Sequence, residues 1–199
     1  MADRQRYSRI AQPEKRRQRQ TTRAVLRMVL GQLAGISAAE VSIGADVQGK
    51  PCLMDPRRIG FSVSHSGEFS LLAFARDAEI GCDIEKKHPL EDIRAMSEVV
   101  LHPEEAEVIG GLDGRDAEDA FFCNWVRKEA ALKAMGTGFR VDPVRLNVGL
   151  TDCEMRLPLV GAEGVAPAVF HLLCTRPVEN YVAAVASPYP GCLWGVLGL

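Results

Sequence analysis

Two acidic residues, Asp83 and Glu85, lie two positions apart in a segment that reads IGCDIE. Side chains two apart project from the same face of a strand, so the two carboxylates are predicted to point together. Neighbouring carboxylates repel each other and are costly to bury, and a bound divalent cation relieves both costs. A few oxygen ligands suit Mg²⁺, which completes its shell with water and phosphate oxygens. The alternative is a strand edge whose acids are solvated or paired with Lys86 and Lys87.

A third acidic residue, Glu129, stands in the segment WVRKEAALKAMGTG, which is typical of a helix that ends at glycine. At about 100° per residue, Glu129 falls on the apolar stripe of this helix, where its solvation would be poor. One interpretation pairs Glu129 with Lys128 or Lys133 in an ordinary salt bridge. The other places Glu129 on the same metal ion as Asp83 and Glu85, with the lysines facing phosphates.

A strand and the turn that follows it carry hydroxyl and imidazole groups in the segment FSVSHSG. The segment lacks the G-x-S-x-G elbow, and sequence neighbours rarely form a catalytic triad, so a hydrolase is disfavoured. Ser64 and His65, beside free backbone N–H groups, are better suited to hold an anionic oxygen. The alternative is a turn whose serines satisfy local backbone groups. Lys50, just before Pro51, adds a cation on a stiff loop.

The elements that would position these groups are predicted from apolar periodicity and from glycine and proline positions. The predicted helices are 13–33, 90–110 with a break at Pro103, and 117–135; the predicted strands are 59–64, 69–76, 80–85, 168–174, 181–186 and 192–196. Antiparallel strands with segregated helices favour an α+β fold. The strands that begin at Phe69 and Tyr181, each with the turn after it, read alike, which predicts either a similar hairpin in each half or a chance similarity.

The composition is that of an ordinary globular protein, with 199 residues, 47% apolar and 25% charged residues. No apolar run approaches the roughly 18 residues that cross a bilayer, so membrane spanning and export are disfavoured. The six cysteines occur singly, without C-x-x-C pairs. Neither a zinc site nor a disulfide framework is therefore predicted, and a cytoplasmic location is expected.

Charge is distributed unevenly, although the net charge is only −2. Residues 1–30 carry nine Lys or Arg against two acids, whereas residues 77–119 carry fourteen acids against four basic residues. A basic stripe on the first predicted helix consists of residues three or four apart: Arg16, Arg19, Arg23 and Arg27. A single stripe in a chain with 6% aromatic residues disfavours nucleic-acid binding.

Four motifs follow one another along the chain: GKP at 49–51, FSVSHS at 61–66, IGCDIE at 80–85 and WVRKEAALKAMGTG at 125–138. Together they resemble the ordered motifs of the 4′-phosphopantetheinyl transferases. The length is similar to that of the larger, single-chain members. The resemblance therefore implies a monomer made of two similar α/β halves, approximately 1–102 and 103–199, in a pseudo-twofold arrangement. It also implies transfer of the phosphopantetheine arm of coenzyme A to a serine of an acyl or peptidyl carrier protein, with release of adenosine 3′,5′-bisphosphate.

The resemblance assigns roles residue by residue. It implies that Asp83, Glu85 and Glu129 bind Mg²⁺, and that Lys133 contacts the pyrophosphate or helps the leaving group. Either Glu129 or a metal-bound water would accept the serine proton. The residues implied to bind coenzyme A, in addition to this lysine, are Lys50, Pro51, Ser64, His65, Arg19 and Arg23.

Some features of the resemblance stay open. Glu105 is implied as a further acidic residue near the metal, and Lys128 matches the motif without a defined role. Ser62 stands where the family often has Asn, and Cys82 where an aliphatic residue is more usual, but both changes are small. Two other functions are alternatives: a non-catalytic module that binds coenzyme A or a carrier protein, and a Mg²⁺-dependent phosphohydrolase. The carrier, acyl-coenzyme A tolerance and Mg²⁺ or Mn²⁺ preference are not determined by sequence.

Overall fold

The computed structural model describes residues 7–8, 10–136, 141–161, 164–189 and 193–198. Its helices are α1 (Pro13–Ala34), α2 (Ile93–Val100), α3 (Pro103–Gly110) and α4 (Gly114–Met135). Its strands are β1 (Ile43–Ala45), β2 (Pro51–Leu53), β3 (Ile59–Ser66), β4 (Phe69–Arg76), β5 (Gly81–Lys86), β6 (Cys153–Gly161), β7 (Gly164–Thr175), β8 (Tyr181–Ser187) and β9 (Leu193–Gly198). No helix in these described ranges is both long and apolar enough to cross a bilayer.

The strands form two larger antiparallel sheets and one small pair. The first sheet has the order β3-β4-β9, and the second has the order β5-β8-β7-β6. Among the strands that the structure describes, β1 pairs only with β2. Helices and antiparallel strands are thus segregated along the chain, and the predicted α+β class is confirmed.

The prediction of a hairpin in each half is wrong. β4 and β5 belong to different sheets, as do β8 and β9, so each turn carries the chain from one sheet to the other. β4 pairs with β9 and β8 pairs with β5, so the order β3-β4-β9 corresponds to the order β7-β8-β5. This correspondence agrees with two similar halves, and the boundaries 1–102 and 103–199 stay a prediction.

Three apolar clusters join the layers. One cluster joins α1 to the first sheet and includes Leu30 and Phe74. A second joins α4 to the second sheet and includes Val126 and Val182. The third lies between the two sheets and contains alternate residues of β4, β5 and β8. The helices therefore cover the outer faces of two sheets that pack against each other.

Alternation along β5 determines where its acidic residues point. Cys82 and Ile84 are fully buried in the cluster between the sheets. Because neighbouring side chains of a strand alternate, Asp83 and Glu85 project from the other face, which α4 covers.

Gly81 explains how closely α4 approaches β5. A Cβ atom at this position would lie 1.9 Å from the carbonyl oxygen of Ala130 and 2.4 Å from the backbone nitrogen of Ala134, both on α4. Only glycine leaves room for such direct contact between the two backbones. The contact brings the predicted site residues of α4 beside those of β5.

The structure also contains strands that the sequence pattern does not predict, namely β1, β2 and β6. β1 and β2 have three residues each, too short to show the alternation on which strand prediction relies. α4 begins at Gly114, three residues before its predicted start. Gly138, the second predicted helix-ending glycine, and Cys192, the predicted start of the last strand, lie outside the described residues.

Candidate active site

Asp83 and Glu85 lie on the face of β5 toward α4, where two serines of β3 hold them. Asp83 is 3% exposed and Glu85 is half-buried. Ser64 Oγ donates to Asp83 Oδ1 at 2.6 Å, and Ser66 Oγ donates to Glu85 Oε2 at 2.8 Å. The two serines are two positions apart on β3 and the two acids are two positions apart on β5, so each serine lies opposite one acid. These hydrogen bonds fix the orientation of both carboxylates.

Lys133 on α4 forms an ion pair with Asp83. The distance from Nζ to Oδ1 is 2.6 Å, and Nζ also donates to Ser64 Oγ at 3.1 Å. Burial opposes the charged form of this lysine, but the negative charge of Asp83 and of neighbouring groups outweighs burial and raises the pKa of Lys133. The lysine side chain stays 31% exposed. Lys133 is therefore a charged group between the carboxylates and the pocket described below.

Glu129 lies one turn before Lys133 on α4 and is half-buried. Its Oε1 atom is buried and has no hydrogen-bond partner among the residues that the structure describes. Burial and the charge of Asp83 raise the pKa of Glu129, while Lys133 opposes this shift. Burial also raises the pKa of Glu85, and Asp83 adds to that effect. The lysine pairs with Asp83 rather than with Glu129, so the ordinary salt bridge is not the arrangement observed.

The three acidic residues act electrostatically on one another, so they form one cluster rather than lying on separate surfaces. Among the described residues, no group of three or more His, Cys, Asp or Glu side chains is arranged so that it could hold a metal ion. Two buried carboxylate oxygens in the cluster, Asp83 Oδ2 and Glu129 Oε1, nevertheless receive no hydrogen bond from the described part of the chain. Buried acceptors without donors are chemically suited to a hard cation, so this donor set fits Mg²⁺. Metal binding by Asp83, Glu85 and Glu129 stays a prediction.

A pocket of about 620 Å³ opens beside the cluster, within the size range of small-molecule sites. Six of the seven residues predicted to bind coenzyme A line this pocket: Arg19, Arg23, Lys50, Pro51, His65 and Lys133. Ser64 is not part of the lining, because its hydroxyl is held by Asp83 and Lys133. With four Lys or Arg side chains in its wall, the pocket favours an anionic ligand.

His65 presents one ring nitrogen to Arg19, whose Nη1 lies 3.0 Å from Nδ1. A guanidinium group only donates, so Nδ1 accepts and the neutral ring carries its proton on Nε2. Burial, together with the positive charges of Arg19 and Lys133, lowers the pKa of His65 to about 4. Nε2 is buried, and no described residue forms a hydrogen bond with it. Its N–H group is therefore a donor that remains available for an anionic oxygen.

Lys50 lines the pocket, but its ammonium group already has protein partners. Nζ lies 2.5 Å from Glu79 Oε2 and donates to the carbonyl oxygens of Ile80 at 3.3 Å and Ala134 at 3.4 Å. The contact with Ala134 satisfies a carbonyl at the C-terminal end of α4. Lys50 therefore ties its loop to α4 and β5, and its predicted contact with phosphate stays a prediction.

The arginine stripe of α1 divides between two pockets. Arg19 lines the first pocket, Arg23 lines both, and Arg16 and Arg27 line a second pocket of about 550 Å³. Arg27 also donates to two backbone carbonyls in the turn after α1, each at 3.0 Å. The structure thus places Arg19 and Arg23 of the stripe at the first pocket, a distinction that the sequence alone does not make.

Lys128 and Glu105 form a second ion pair on another face of α4. Lys128 Nζ lies 2.7 Å from Glu105 Oε2, and the two side chains are 0% and 2% exposed. Lys128 also donates to the carbonyls of Pro143 and Leu146, while Glu105 accepts from the amides of His102, Val148 and Gly149. Burial lowers the pKa of Lys128, and Glu105 offsets part of that shift. The structure does not place Glu105 at the carboxylate cluster: Lys128 and the His102 amide contact its Oε2, and the amides of Val148 and Gly149 donate to its Oε1.

Sequence reasoning missed the part that the serines of β3 play in joining the two sheets. Ser66 Oγ accepts from the amide of Lys86 at 2.9 Å, and Ser62 Oγ accepts from the amide of Cys82 at 3.0 Å. Serine at every second position from 62 to 66 is a visible signal in the sequence. That these hydroxyls meet β5 is not visible there, because β3 and β5 belong to different sheets.

The family model of the 4′-phosphopantetheinyl transferase superfamily matches residues 79–186. This range contains β5 and α4, which carry the three acidic residues of the cluster and Lys133.

Among curated proteins, the chain is 32% identical over 185 residues to the 4′-phosphopantetheinyl transferase HetI of Nostoc sp. The aligned region covers 91% of this chain and 75% of HetI. The chain is 28% identical over 170 residues to the 4′-phosphopantetheinyl transferase ffp of Bacillus subtilis, covering 83% of this chain and 71% of ffp. The crystal structure of Thermotoga maritima holo-[acyl-carrier-protein] synthase matches 55% of this chain and 61% of its own, at 16% identity and a TM-score of 0.34, too low a similarity to carry an argument. On the family match and the extent of similarity to HetI, the chain belongs to the 4′-phosphopantetheinyl transferase superfamily and is a transferase enzyme.

Proposed function

We propose that the chain transfers the 4′-phosphopantetheine arm of coenzyme A to a serine hydroxyl of an acyl or peptidyl carrier protein. The reaction depends on Mg²⁺ and releases adenosine 3′,5′-bisphosphate. The enzyme acts as a monomer in the cytoplasm. Membership of the superfamily supports the reaction class, and the charged side chains support the details.

One observation carries the proposal. A cluster of three acidic residues, with two buried oxygens that have no hydrogen-bond partner among the described residues, adjoins a pocket lined by four Lys or Arg side chains. Lys133 connects the two, since it pairs with Asp83 and lines the pocket. The reacting group of coenzyme A is a pyrophosphate, which is densely anionic, whereas a serine hydroxyl is a weak nucleophile. The site must therefore neutralise charge, align the serine oxygen and accept a proton.

The pocket binds the coenzyme through its basic wall. Arg19 and Arg23 face the anionic nucleotide, and the Nε2–H group of His65 donates to a phosphate oxygen. Because Arg19 fixes the neutral tautomer of His65, the histidine acts as an oriented donor rather than as a cation. Lys133, which also lines the pocket, faces the pyrophosphate and stabilises the charge that develops on the leaving group.

The acidic cluster supplies the metal site and the base. Asp83, Glu85 and Glu129 would hold Mg²⁺, which would supply positive charge against the pyrophosphate. The hydrogen bonds from Ser64 and Ser66 hold the carboxylates of Asp83 and Glu85 in fixed orientations. Glu129 would also accept the serine proton, on the carboxylate oxygen that does not bind the metal.

The experiment is an incubation of the purified chain with coenzyme A, Mg²⁺ and an apo carrier protein, followed by intact mass spectrometry of the carrier. A gain of about 340 Da, the mass of the arm, is expected with Mg²⁺ and not with excess chelator. Asp83→Ala should abolish the gain while its circular dichroism spectrum stays that of the wild type. Glu107→Ala, which removes an exposed acid of α3, serves as the matched control and should retain turnover.

The same assay separates the alternatives. A phosphohydrolase would release phosphate from coenzyme A without any carrier. A non-catalytic binding module would bind coenzyme A, as titration calorimetry measures, and leave the carrier mass unchanged. Undiminished transfer by Asp83→Ala would overturn the site assignment while leaving the reaction class intact.

A further inference from the structure

An exposed acid, Glu79, pairs with one of the four Lys or Arg side chains that line the first pocket. Glu79 lies in the segment between β4 and β5, and its Oε2 atom is 2.5 Å from Lys50 Nζ. The side chain of Glu79 is 51% exposed, whereas that of Lys50 is 14% exposed. The ammonium group therefore belongs to the pocket wall, and the carboxylate that neutralises it borders on solvent.

The ammonium group of Lys50 has as many acceptors as it has protons. A lysine donates at most three hydrogen bonds, and Nζ donates to Glu79 Oε2 and to two backbone carbonyls, those of Ile80 at 3.3 Å and Ala134 at 3.4 Å. An anionic group that enters the pocket can therefore bind Lys50 only by displacing one of these acceptors. The carbonyls belong to fully buried residues, whereas a half-exposed glutamate side chain can turn into water at little cost. Glu79 is therefore the partner that a ligand replaces most easily.

The backbone on both sides keeps this pair in place. Asp46 Oδ1 accepts from the amides of Gln48 and Lys50, each at 2.8 Å, and so closes the loop that carries the lysine. On the other side, a Cβ atom at Gly60 of β3 would lie 2.1 Å from the carbonyl oxygen of Ala78, so glycine lets the segment between β4 and β5 pack this closely. The contact between the two side chains thus follows from fixed backbone positions, and Asp46 is occupied with its own loop.

We propose that Glu79 sets the affinity of the pocket by competing with an anionic group of coenzyme A for Lys50. In the free protein Glu79 offsets the charge of Lys50, and the bound coenzyme takes its place. A phosphate group has more acceptor oxygens than a carboxylate and can carry more negative charge, which favours the exchange. The inference rests on the proposed function, since it assumes that the first pocket binds coenzyme A, and it adds a residue that limits this binding.

The test is titration calorimetry of coenzyme A into the full chain, with excess chelator and without a carrier protein so that no transfer occurs. Glu79→Gln should lower the dissociation constant about three- to fivefold, the effect of one exposed ion pair. In the transfer assay the KM for coenzyme A should fall by a similar factor while kcat stays the same, because the lost contact is with Lys50 and not with a reacting atom. Urea denaturation of Glu79→Gln should match that of the wild type.

Two further variants make the test specific. Asp77→Asn removes another exposed carboxylate two positions before Glu79, at a φ of 54° that asparagine tolerates, and should leave the dissociation constant unchanged. Lys50→Met removes the shared partner, so Glu79→Gln should have no effect on binding when it is combined with this change. The first variant controls for a general loss of negative charge, and the second assigns the effect to the pair.

The outcomes separate the inference from the proposed function. Unchanged or weaker binding in Glu79→Gln, with a wild type that binds coenzyme A, would overturn the inference alone. Equal tightening in Asp77→Asn would do the same, as would tightening that persists beside Lys50→Met. A wild-type chain that neither binds coenzyme A nor modifies a carrier would overturn the proposed function and the inference with it.

Discussion

Two lysines five positions apart on α4, Lys128 and Lys133, each pair with a buried acid. The two pairs differ in how many of their hydrogen-bonding groups have protein partners. Glu105 and Lys128 are both buried, and backbone carbonyls and amides occupy their remaining hydrogen-bonding capacity. The pair of Lys133 and Asp83 lies at a pocket wall, and Asp83 Oδ2 has no donor. Nearby Glu129 also has an unpartnered oxygen.

The difference separates a structural ion pair from a binding site. The buried pair of Lys128 and Glu105 holds α4 against α3 and the segment around Val148. Its hydrogen-bonding groups all have protein partners, so none remains for a ligand. An unsaturated cluster costs stability in the free protein, and a ligand can recover that cost. The sequence motif contains both lysines, and only their partners separate their roles.

The largest expected effect comes from removing the saturated pair. Glu105→Ala should lower the free energy of unfolding by about 5 kcal/mol, because it leaves a buried lysine charge and backbone amides without an acceptor. Urea denaturation measures this loss. Glu105→Gln, which keeps an amide oxygen as acceptor, should lose less. A loss below about 1 kcal/mol for Glu105→Ala would contradict the structural role.

A substitution in the acidic cluster should lower activity rather than stability. Glu129→Gln should lower the rate of transfer about 10³-fold, because it removes the proposed base and one metal ligand. The stability of the metal-free protein should stay the same or rise, since one buried charge beside Asp83 is removed. Transfer kinetics and urea denaturation on the same sample check both parts. Equal losses of stability in Glu129→Gln and Glu105→Ala would erase the distinction between the two sites.

A smaller effect is expected from the serines that orient the acids. Ser66→Ala should weaken the apparent Mg²⁺ affinity by about 10- to 100-fold, because Glu85 loses the hydrogen bond that fixes its carboxylate. The Mg²⁺ dependence of transfer measures this shift, and saturating Mg²⁺ should restore most of the rate. Ser37→Ala, which removes an exposed serine that donates to Glu40 in the turn after α1, is the control and should keep the wild-type dependence. An unchanged Mg²⁺ dependence in Ser66→Ala would separate Glu85 from the metal.

The smallest effect concerns pH. The pKa of His65 is lowered to about 4 in the folded chain from 6.5, so the neutral ring stabilises the fold fully above pH 6.5, and this contribution is lost as pH falls toward 4. The loss should be on the order of 1 kcal/mol after allowance for solvent screening. The raised pKa values of Glu85 and Glu129 act in the other direction, since protonation relieves their burial as pH falls.

The difference in unfolding free energy between the wild type and His65→Gln isolates the histidine. It should shrink between pH 6.5 and pH 4 and be constant from pH 7 to pH 8. A difference that does not vary with pH would mean that His65 is not held neutral by Arg19 and burial.

Much of the site follows from local patterns. A spacing of two on a strand predicts that Asp83 and Glu85 share a face, and the structure agrees. The apolar stripe of the helix predicts a poorly solvated Glu129, and its Oε1 is buried. Such patterns succeed because strand and helix periodicity are properties of neighbouring residues. The hairpins failed as predictions because a turn does not reveal which sheet the next strand joins.

The sequence by itself therefore determines which residue types are present and how they are spaced within each strand or helix. Only the tertiary structure decides which of them meet: that Lys133 pairs with Asp83, that Lys128 pairs with Glu105, and that Lys50 is held by Glu79. The physical reason is that burial, pairing and pKa depend on groups brought together from distant parts of the chain. Spacing along one element carries no information about partners on another.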